Sequence, residues 1–334
     1  MYESFLVLDP NCTQKNKTIL QVTLMLCSAI IPTVGRSSLS RAVESVLKQG
    51  SLGEEFEMIV INDSGKLLAE ADWQKSERIQ IINTNRRERS VARNTGAAIA
   101  KGKYLHFLDD DDWLVPNAYR HLWELSQTSN AKWLYGMTQL VDRQERPLIQ
   151  LRHNLHGNCF AQAMAGEWIP LQSSWIERKT FMRVGGFNPL LAGPEDIDLL
   201  RRLLLQEEIA ETPNLIAHIV MAGEGSTTNY VQHPQESRWA REIILDDTAS
   251  RARMDTSAVS PFWKGRKLRI YLTSAVWNVQ HRRYMTAVSR LFFSIVSFLL
   301  AGTSIFSRDF WMAVRKPYAS LTFEKGLQEA QQVK

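Results

Sequence analysis

Apolar runs and amphipathic segments alternate along the first third of the chain, which predicts strands followed by helices. Strands are indicated by short, nearly continuous apolar runs, and helices by apolar residues that recur every three or four positions. The predicted strands are residues 22–32, 56–62, 78–84 and 104–108, and the predicted helices are residues 37–50 and 89–102. Strands that alternate with helices form βαβ units, so we expect an α/β fold with a mixed, mostly parallel central sheet flanked by helices.

Polar or turn-forming residues follow three of the predicted strands. Pro32, Thr33 and Val34 close the first strand, Asp63 follows the second, and the four aspartates 109–112 follow the fourth. In sheets of this kind ligands bind at the carboxyl ends of the strands. We therefore expect these three features to gather at one edge of the sheet.

The rest of the chain predicts a hairpin and several helices. Residues 117–127 predict a helix, and residues 132–151 predict a β-hairpin that turns near Asp142 to Glu145. A further helix should begin near Pro194 or Glu195, where acidic residues favour a helix N-terminus. Past about residue 260 the pattern becomes helical and basic, which predicts a C-terminal helical appendage over residues 256–334.

One apolar stretch in the appendage, residues 291–306, allows three interpretations. It has 16 residues with Ser and Thr among them, and arginines flank it at positions 282, 283, 290 and 308. A membrane-spanning helix needs about 20 apolar residues. The stretch therefore predicts a packed helical hairpin, an interfacial membrane anchor or, least suited by its length, a span.

The charge is unevenly distributed along the chain. Residues 251–334 carry 14 Lys and Arg against 4 Asp and Glu, whereas the whole chain has 40 against 35. A basic region can meet nucleic acid, anionic lipid or an acidic substrate. Because aliphatic stretches interleave these charges, we expect a peripheral membrane contact through the C-terminal region and no nucleic acid.

The cysteines and the first residues bear on the compartment. Cys12, Cys27 and Cys159 are few, odd in number and without metal-ligand spacing, which fits a reduced compartment better than a disulfide framework. The first ten residues lack the basic and apolar pattern of a signal peptide. We expect a cytoplasmic protein, peripheral at the inner face of the membrane.

The four aspartates 109–112 raise the main question about function. Carboxylates at a strand end suit a hard divalent cation such as Mg²⁺ or Mn²⁺. A solvated acidic turn that also caps the next helix is equally compatible with the run alone. A Walker B strand is excluded, because the candidate P-loop has Gly96 and Gly102 one residue too far apart and Tyr104 after its lysine.

The order of motifs around the aspartates narrows the possible roles of these four residues. An apolar strand ending in Pro-Thr precedes a strand ending in Asp63, then Ala-Arg-Asn-x-Gly at 92–96, then the aspartates. Val-Gly-Gly-Phe at 184–187 and Glu-Asp-x-Asp at 195–198 follow. This order resembles the family 2 glycosyltransferases, which have the GT-A fold, over about residues 24–230. The resemblance implies a GT-A domain at 24–255, with a nucleotide-binding half at 24–116 and an acceptor half at 117–255, after a lead segment at 1–23.

The resemblance implies a role for each residue of the donor side. Pro32, Thr33 and Val34 would shape the loop against the nucleotide base, and Asp63 would hydrogen-bond the base edge. Arg93 and Asn94 would face the donor, with Arg93 near the diphosphate. The aspartates would form the D-x-D element in one of two frames, 109/111 or 110/112. Alignment on Pro116 favours Asp111 as the direct metal ligand, with Asp109 or Asp110 near the ribose or behind the metal and Asp112 capping the next helix.

The resemblance also implies the catalytic and acceptor residues. Asp196 would be the general base that deprotonates an acceptor hydroxyl, so that one in-line displacement inverts the anomeric carbon. Glu195, Arg238 and Trp239 would lie on the acceptor side. The chain departs from the family pattern near Gly223, where many relatives carry a His; the nearest candidates are His218 and His233. Gln-x-x-Arg-Trp at 235–239 matches the processive synthases, which carry several membrane spans.

The expected function is therefore a metal-dependent, inverting, hexosyltransferase-like glycosyltransferase. It would use Mg²⁺ or Mn²⁺, take a nucleotide-sugar donor, with a UDP-sugar favoured, and act on a glycan or lipid-linked acceptor in cell-surface polysaccharide or glycan synthesis. Two alternatives stay open from sequence. One is a nucleotidyltransferase of similar fold, and the other is a catalytically weak relative that binds sugar nucleotides.

Overall fold

A computed structural model of the chain describes residues 25–49, 56–85, 88–221, 234–316 and 320–332. The strands are β1 (Cys27–Thr33), β2 (Phe56–Asn62), β3 (Ile79–Asn83), β4 (Tyr104–Phe107), β5 (Trp113–Leu114), β6 (Trp133–Val141), β7 (Pro147–Leu151), β8 (Ser174–Glu177) and β9 (Ile209–Val220). The predicted lead segment 1–23 and Cys12 lie outside the described residues.

Helices surround the strands and fill the C-terminal region. They are α1 (Leu39–Leu47), α2 (Arg89–Ile99), α3 (Ala118–Thr128), α4 (Phe160–Met164), α5 (Arg178–Arg183), α6 (Glu195–Leu204), α7 (Pro234–Asp246), α8 (Ala249–Ser257), α9 (Pro261–Gln280), α10 (Tyr284–Leu299), α11 (Arg308–Arg315) and α12 (Leu321–Gln332). No helix in the described ranges is both long and apolar enough to cross a membrane.

The described strands form one mixed sheet in the order β3-β2-β1-β4-β8-β6-β9-β5, with β7 paired to β6. The strands β3, β2, β1 and β4 run parallel, as do β6 and β9, while β8, β7 and β5 pair antiparallel with their neighbours. This arrangement confirms the predicted α/β fold. It also confirms the predicted hairpin, formed by β6 and β7, and the helix that begins at Glu195.

Pro32 does not end β1, contrary to the expected end of the first strand. The strand continues to Thr33 because it still pairs with β2, where Pro32 lies opposite Ile61. On the other side its pairing with β4 ends at Ile30, whose carbonyl accepts a bond from the Leu108 amide. The missing N–H of Pro32 therefore points past the end of β4 and breaks no ladder hydrogen bond.

The two faces of the sheet are both buried, which explains the continuous apolar runs of the first strands. Ile30 and Ile59 pack on one face with α2 and α6, and Ile31 and Val60 pack on the other with α1 and α3. Because strand side chains alternate between faces, a run without polar breaks is what a sheet covered on both sides requires.

The C-terminal helices share the core of the main domain. Ile270 and Tyr271 of α9 are buried in the same cluster as Met254 of α8 and the strand residues of one sheet face. Glu242 of α7 is fully buried and accepts hydrogen bonds from Ser274 and Asn278 of α9. The described residues beyond 256 are thus mostly helical, as predicted, but they pack against the domain; the boundary itself stays a prediction.

Gly265 allows α9 and α11 to approach closely. A Cβ built on Gly265 would lie 2.3 Å from the carbonyl oxygen of Phe310 and 3.0 Å from the Cβ of Ala313. These are backbone and short side-chain atoms, which cannot rotate away.

We predict that Gly265→Ala lowers the stability of the protein by about 1–3 kcal/mol, because the added methyl must push α11 outward. Helix propensity alone predicts the opposite sign, a gain of about 1 kcal/mol. Urea unfolding of both proteins decides between the two effects. A variant more stable than the parent would contradict the close packing of α9 and α11.

Candidate active site

The predicted site residues converge at the carboxyl ends of the parallel strands. β1 ends at Thr33, β2 leads into Asp63, and β4 leads into a turn formed by the four aspartates, closed by the Asp112 amide bonding to the Asp109 carbonyl at 3.1 Å. The N-terminus of α6 brings Glu195 and Asp196 to the same edge. The structure thus confirms that these strand-end features gather there.

Arg93 joins the aspartate turn to α6. Its guanidinium donates one hydrogen bond to Asp109 at 2.6 Å and one to Glu195 at 3.0 Å, and its side chain is only 4% exposed. Burial works against the charge of Arg93, but Asp109 and Glu195 outweigh it and raise the pKa. For Asp109 burial also works against ionisation, and the facing Arg93 outweighs it and lowers the pKa. One buried cation therefore holds two elements of the site together.

The even-numbered aspartates turn into the protein. Asp110 is 2% exposed and accepts bonds from Thr33 Oγ1 and from Arg36, both at 2.5 Å. Asp112 is also 2% exposed and accepts a bond from the Val220 amide at 2.8 Å. Burial, followed by repulsion from Asp109 and Asp111, raises the pKa of Asp112 well above its usual value. These contacts fix the turn against β1 and β9.

Asp111 occupies the corner of the turn and lines the cavity beside it. Arg41 holds its backbone carbonyl at 2.7 Å, while its carboxylate keeps 28% exposure and lies 3.3 Å from Arg36. Burial and then the charge of Asp109 raise the pKa of Asp111. A cation near this carboxylate would relieve that repulsion.

The acid residues fit a divalent cation that also binds a substrate. Within the described ranges no three His, Cys, Asp or Glu side chains are grouped as a ready metal site. Mg²⁺ needs only one or two carboxylates when phosphate oxygens complete its shell. Asp109 and Asp111 both line the cavity, so this pair fits such a site. His218 stacks on the Trp113 ring at 5.0 Å, and Gly223 and His233 lie outside the described residues.

Glu195 and Asp196 begin α6 beside the aspartate turn. Glu195 is 2% exposed, and its Oε2 atom is buried without a hydrogen-bond partner. Burial, followed by repulsion from Asp196, raises the pKa of Glu195. Asp196 is only partly buried, accepts a bond from the Ile197 amide at 2.7 Å and lines the cavity. The carboxylate with access to a substrate is therefore that of Asp196.

A cavity of about 780 Å³ connects these acids to an apolar chamber. Its acidic end holds Asp109, Asp111 and Asp196. Its apolar end is lined by Leu140, Trp168, Ile219, Met221 and Phe323. One volume thus offers both charge for a polar group and apolar surface for a second part of a substrate.

The C-terminal helix α12 forms one wall of the apolar end. Glu167 is 3% exposed and accepts hydrogen bonds from the Leu321 amide at 2.5 Å, Ser320 Oγ at 3.0 Å and Thr322 Oγ1 at 3.1 Å. A carboxylate at a helix N-terminus is favourable, and here it fixes the start of α12. Phe323, two residues later, contributes to the cavity.

Some predicted residues lie away from the cavity. The side-chain amide of Asn94 hydrogen-bonds to the backbone of Phe187. It donates to the carbonyl at 2.8 Å and accepts from the backbone amide at 2.9 Å, which stabilises the turn at 185–187. None of these contacts supports the predicted donor role. Asp63 is buried and accepts bonds from Thr84 Oγ1 at 2.7 Å and the Glu88 amide at 2.6 Å.

The remaining predicted residues divide between the cavity and its surroundings. Arg238 lines the cavity, donates to Glu242 at 3.2 Å and also bonds to the Thr273 carbonyl. Trp239 is 49% exposed and does not line it. Pro32, Thr33 and Val34 lie at the end of β1, outside the cavity, with Val34 52% exposed. The roles assigned to these residues stay predictions.

Sequence reasoning missed several residues that build the site. Arg36 pairs with Asp110, Arg41 lies 3.9 Å above the Trp113 ring, and Gln172 donates to Asp109 at 2.9 Å. Arg36 had a signal, since it is a cation just past a strand end that leads into the site. Gln172 and the α12 wall had none, because long-range packing alone brings them there.

Comparison with known proteins gives consistent matches. Residues 28–188 match the family model described as glycosyl transferase family 2. An uncharacterized glycosyltransferase of Haemophilus influenzae is 27% identical over 56% of this chain and 64% of its own length. The poly(ribitol-phosphate) β-N-acetylglucosaminyltransferase TarP of Staphylococcus aureus is 33% identical over 33% of this chain and 35% of its own. The chain spans less than two thirds of these curated relatives.

Solved structures support the fold. Residues 1–349 of S. aureus TarS in complex with UDP-GlcNAc superpose with a TM-score of 0.58 at 12% identity, over 82% of this chain and 90% of that one. The complex of the same TarS fragment with UDP gives 0.55 at 13% identity, over 84% and 91%. At such low identity the likeness shows a common fold, which is of the GT-A type.

We predict that Arg93→Met lowers the free energy of unfolding by about 3–5 kcal/mol at neutral pH, because it leaves Asp109 and Glu195 buried without their cation. Since the folded pKa of Asp109 lies below its unfolded value, its pairing stabilises the protein above the ordinary Asp range and is lost as the pH falls through the lowered pKa. The deficit of the variant should therefore shrink below about pH 4, as the pH falls through the lowered pKa of Asp109.

Urea unfolding at neutral and acidic pH measures this difference. Arg183→Met is the matched control, since Arg183 pairs with Glu207 while 52% exposed; it should cost under about 1 kcal/mol at either pH. An Arg93→Met deficit that is equal at both pH values would show that packing, and not charge, accounts for the loss.

Proposed function

We propose that this protein, whose residues 28–188 match the model of glycosyl transferase family 2, transfers a sugar from a UDP-sugar to an acceptor hydroxyl with inversion. The observation that carries the proposal is the cavity between the aspartate turn and α6, with Arg93 joining the two. Asp109 and Asp111, the proposed metal-binding pair, and Asp196, the proposed base, all line this cavity, which supports the proposal. A nucleotide-sugar donor is further supported by the UDP-GlcNAc and UDP complexes of TarS, and TarP is named as an N-acetylglucosaminyltransferase.

The aspartate turn is suited to the donor diphosphate. Asp109 and Asp111 line the cavity with side chains that are 30% and 28% exposed, whereas Asp112 lines it at 2% exposure, so we assign the metal to the frame 109/111 and to Asp111 in particular. Mg²⁺ or Mn²⁺ bound there would neutralise the charge that develops on the leaving diphosphate. Asp110 stabilises the turn that carries this frame, because it accepts hydrogen bonds from Thr33 and Arg36. Arg89 also lines the cavity and adds a cation on the donor side.

Asp196 is suited to deprotonate the acceptor. Its carboxylate lines the cavity at the N-terminus of α6, whereas its neighbour Glu195 is committed to Arg93. An acceptor hydroxyl between Asp196 and the donor would lose its proton to the carboxylate as its oxygen attacks the anomeric carbon. The diphosphate departs on the opposite face, next to the aspartate turn, and the configuration inverts.

The apolar end of the cavity is suited to the acceptor. Trp168 and Phe323 offer apolar surface in the same cavity as the proposed base, which fits the C–H face of a sugar ring or the lipid part of a lipid-linked acceptor. The relative TarP acts on poly(ribitol-phosphate), a polymer, according to its name. We propose a glycan or lipid-linked acceptor in cell-surface polysaccharide synthesis, in the cytoplasm, where the free buried thiols of Cys27 and Cys159 stay reduced.

We predict that Asp111→Asn weakens Mn²⁺-dependent binding of UDP-GlcNAc by about tenfold to a hundredfold, since a carboxamide is a poorer ligand than a carboxylate. Thermal-shift titration of UDP-GlcNAc with and without Mn²⁺ measures it, because a ligand of the folded state raises its melting temperature. Asp72→Asn is the control, as the Asp72 side chain is 97% exposed and pairs only with Lys75. Equal Mn²⁺-dependent shifts in both variants would rule out Asp111 as the metal ligand.

We predict that Asp196→Asn slows release of UDP from UDP-GlcNAc by about 10²–10⁴-fold while UDP still binds, because the variant loses the proton acceptor and keeps the shape. The matched control is Asp198→Asn on the same helix, where Asp198 pairs with Arg202 at 2.7 Å outside the cavity lining. It should keep most of its turnover.

The released product also separates the alternatives. Release of pyrophosphate from UTP and a sugar 1-phosphate, without release of UDP from UDP-GlcNAc, would indicate a nucleotidyltransferase. Nucleotide binding without any turnover by the parent protein would indicate a relative that only binds sugar nucleotides. Full UDP release by Asp196→Asn would remove Asp196 from the mechanism.

A further inference from the structure

The helix α10 exposes a stripe of large apolar residues, while its fully buried residues are small or polar. The buried residues are Ala287, Arg290, Ser294 and Ser297, and the partly buried Phe293 and Phe298 also pack against the core. The side that faces outward carries Met285, Val288, Phe292, Ile295 and Leu299, which are between 53% and 85% exposed. We call these five residues the outer face. An ordinary surface helix buries its apolar stripe, so a helix with the opposite arrangement needs a cover other than water.

The spacing shows that the outer face is one continuous stripe. Its members recur at intervals of three and four residues, which places them along one side of the helix. Further exposed apolar side chains flank it in the neighbouring segments: Val276, Val279, Leu300 and Phe306, which are between 52% and 86% exposed. The small buried residues explain why α10 stays attached, since Ala287, Ser294 and Ser297 let it lie close against α9.

Two of the polar residues on the inward side are anchored to the domain. Arg290 is 5% exposed and bonds to Asp246 at 2.5 Å, and Arg283 bonds to the same carboxylate at 2.6 Å. These ion pairs define the orientation of α10, because rotating the helix would pull Arg290 away from Asp246. The ion pairs therefore fix the outward position of the apolar stripe.

Cations accompany the outer face. Residues 282–316 contain six Lys and Arg and one acid, Asp309. Arg282 precedes α10, and Arg308 and Arg315 follow it, all three exposed. An apolar stripe with cations at its ends matches an anionic bilayer surface, where acyl chains lie beneath negatively charged headgroups.

The same charges make a second copy of the chain an unfavourable partner to cover the outer face. An isologous contact through the outer face would bring two cationic rims together, and like charges across an interface oppose association.

The length of α10 determines its orientation at a lipid surface. Its 16 residues span about 24 Å along the axis, so it suits a position in the plane of the interface.

We propose that the outer face of α10 docks this protein on an anionic lipid bilayer, with the helix lying along the membrane surface. Phe292 and Ile295 enter the acyl boundary, and Arg282, Arg308 and Arg315 contact the headgroups. The inference goes beyond the proposed transfer reaction and is independent of it, since it concerns binding of the protein to lipid and not turnover.

Co-sedimentation with vesicles tests the proposal on the full chain. The parent protein should bind vesicles of phosphatidylcholine with added phosphatidylglycerol more tightly than vesicles of phosphatidylcholine alone, and added salt should reduce the difference. The double variant Phe292→Gln with Ile295→Gln should bind at least about tenfold more weakly, because two apolar side chains no longer enter the bilayer. Both positions are exposed, so the substitutions leave the core intact, which circular dichroism and the melting temperature verify.

The matched control removes exposed apolar residues elsewhere. Leu67→Gln with Leu190→Gln, at positions 92% and 79% exposed, should leave vesicle binding unchanged. The proposal is overturned if the parent binds neither kind of vesicle, or if the α10 variant and the control bind equally well. It is also overturned if light scattering shows a dimer that the α10 variant abolishes, since a second copy would then cover the outer face.

Discussion

The site depends on charge balance around Arg93. Four aspartates and the pair Glu195–Asp196 meet at one edge of the sheet, and carboxylates gathered in a partly buried space repel one another. Arg93 relieves two of them by lying between Asp109 and Glu195, and Arg36 relieves Asp110. The acids still outnumber the arginines paired with them. Asp111 keeps 28% exposure at the cavity, and burial followed by the charge of Asp109 raises its pKa.

The fold explains how one turn divides its four acids between structure and chemistry. A hydrogen bond between its first and last residues closes the turn, so the two corner side chains leave in different directions. Asp110 meets Thr33 at the end of the neighbouring parallel strand, while Asp111 meets the cavity. Asp109 and Asp111 keep 30% and 28% exposure, whereas Asp110 and Asp112 are each 2% exposed. Sequence alone left both frames open because it does not show which way a turn faces.

Local pattern predicted the strands and the strand-end features, and long-range contacts produced what it missed. The apolar runs predicted β1, β2 and β4 because both faces of a covered sheet must be apolar. Asn94 was assigned to the donor from its motif, and that role stays a prediction. The local pattern did not indicate the contact of its amide with the Phe187 backbone, 93 residues away. Gln172 and Glu167 carry no motif. Their positions follow from the packing of the hairpin region and α12, which a local pattern does not encode.

The basic C-terminal region contributes both to the apolar end of the cavity and to the outer face. Its last helix, α12, is fixed by Glu167 and lends Phe323 to the apolar end of the cavity, while α10 carries the outer face. Between them, α9 is buried in the main core through Ile270 and Tyr271. Because α9 packs rigidly, the distance and angle between cavity and outer face are set by the fold and not by a linker. If the outer face rests on lipid, the cavity is held at a fixed height above it, which is the geometry that an acceptor anchored in the same bilayer requires.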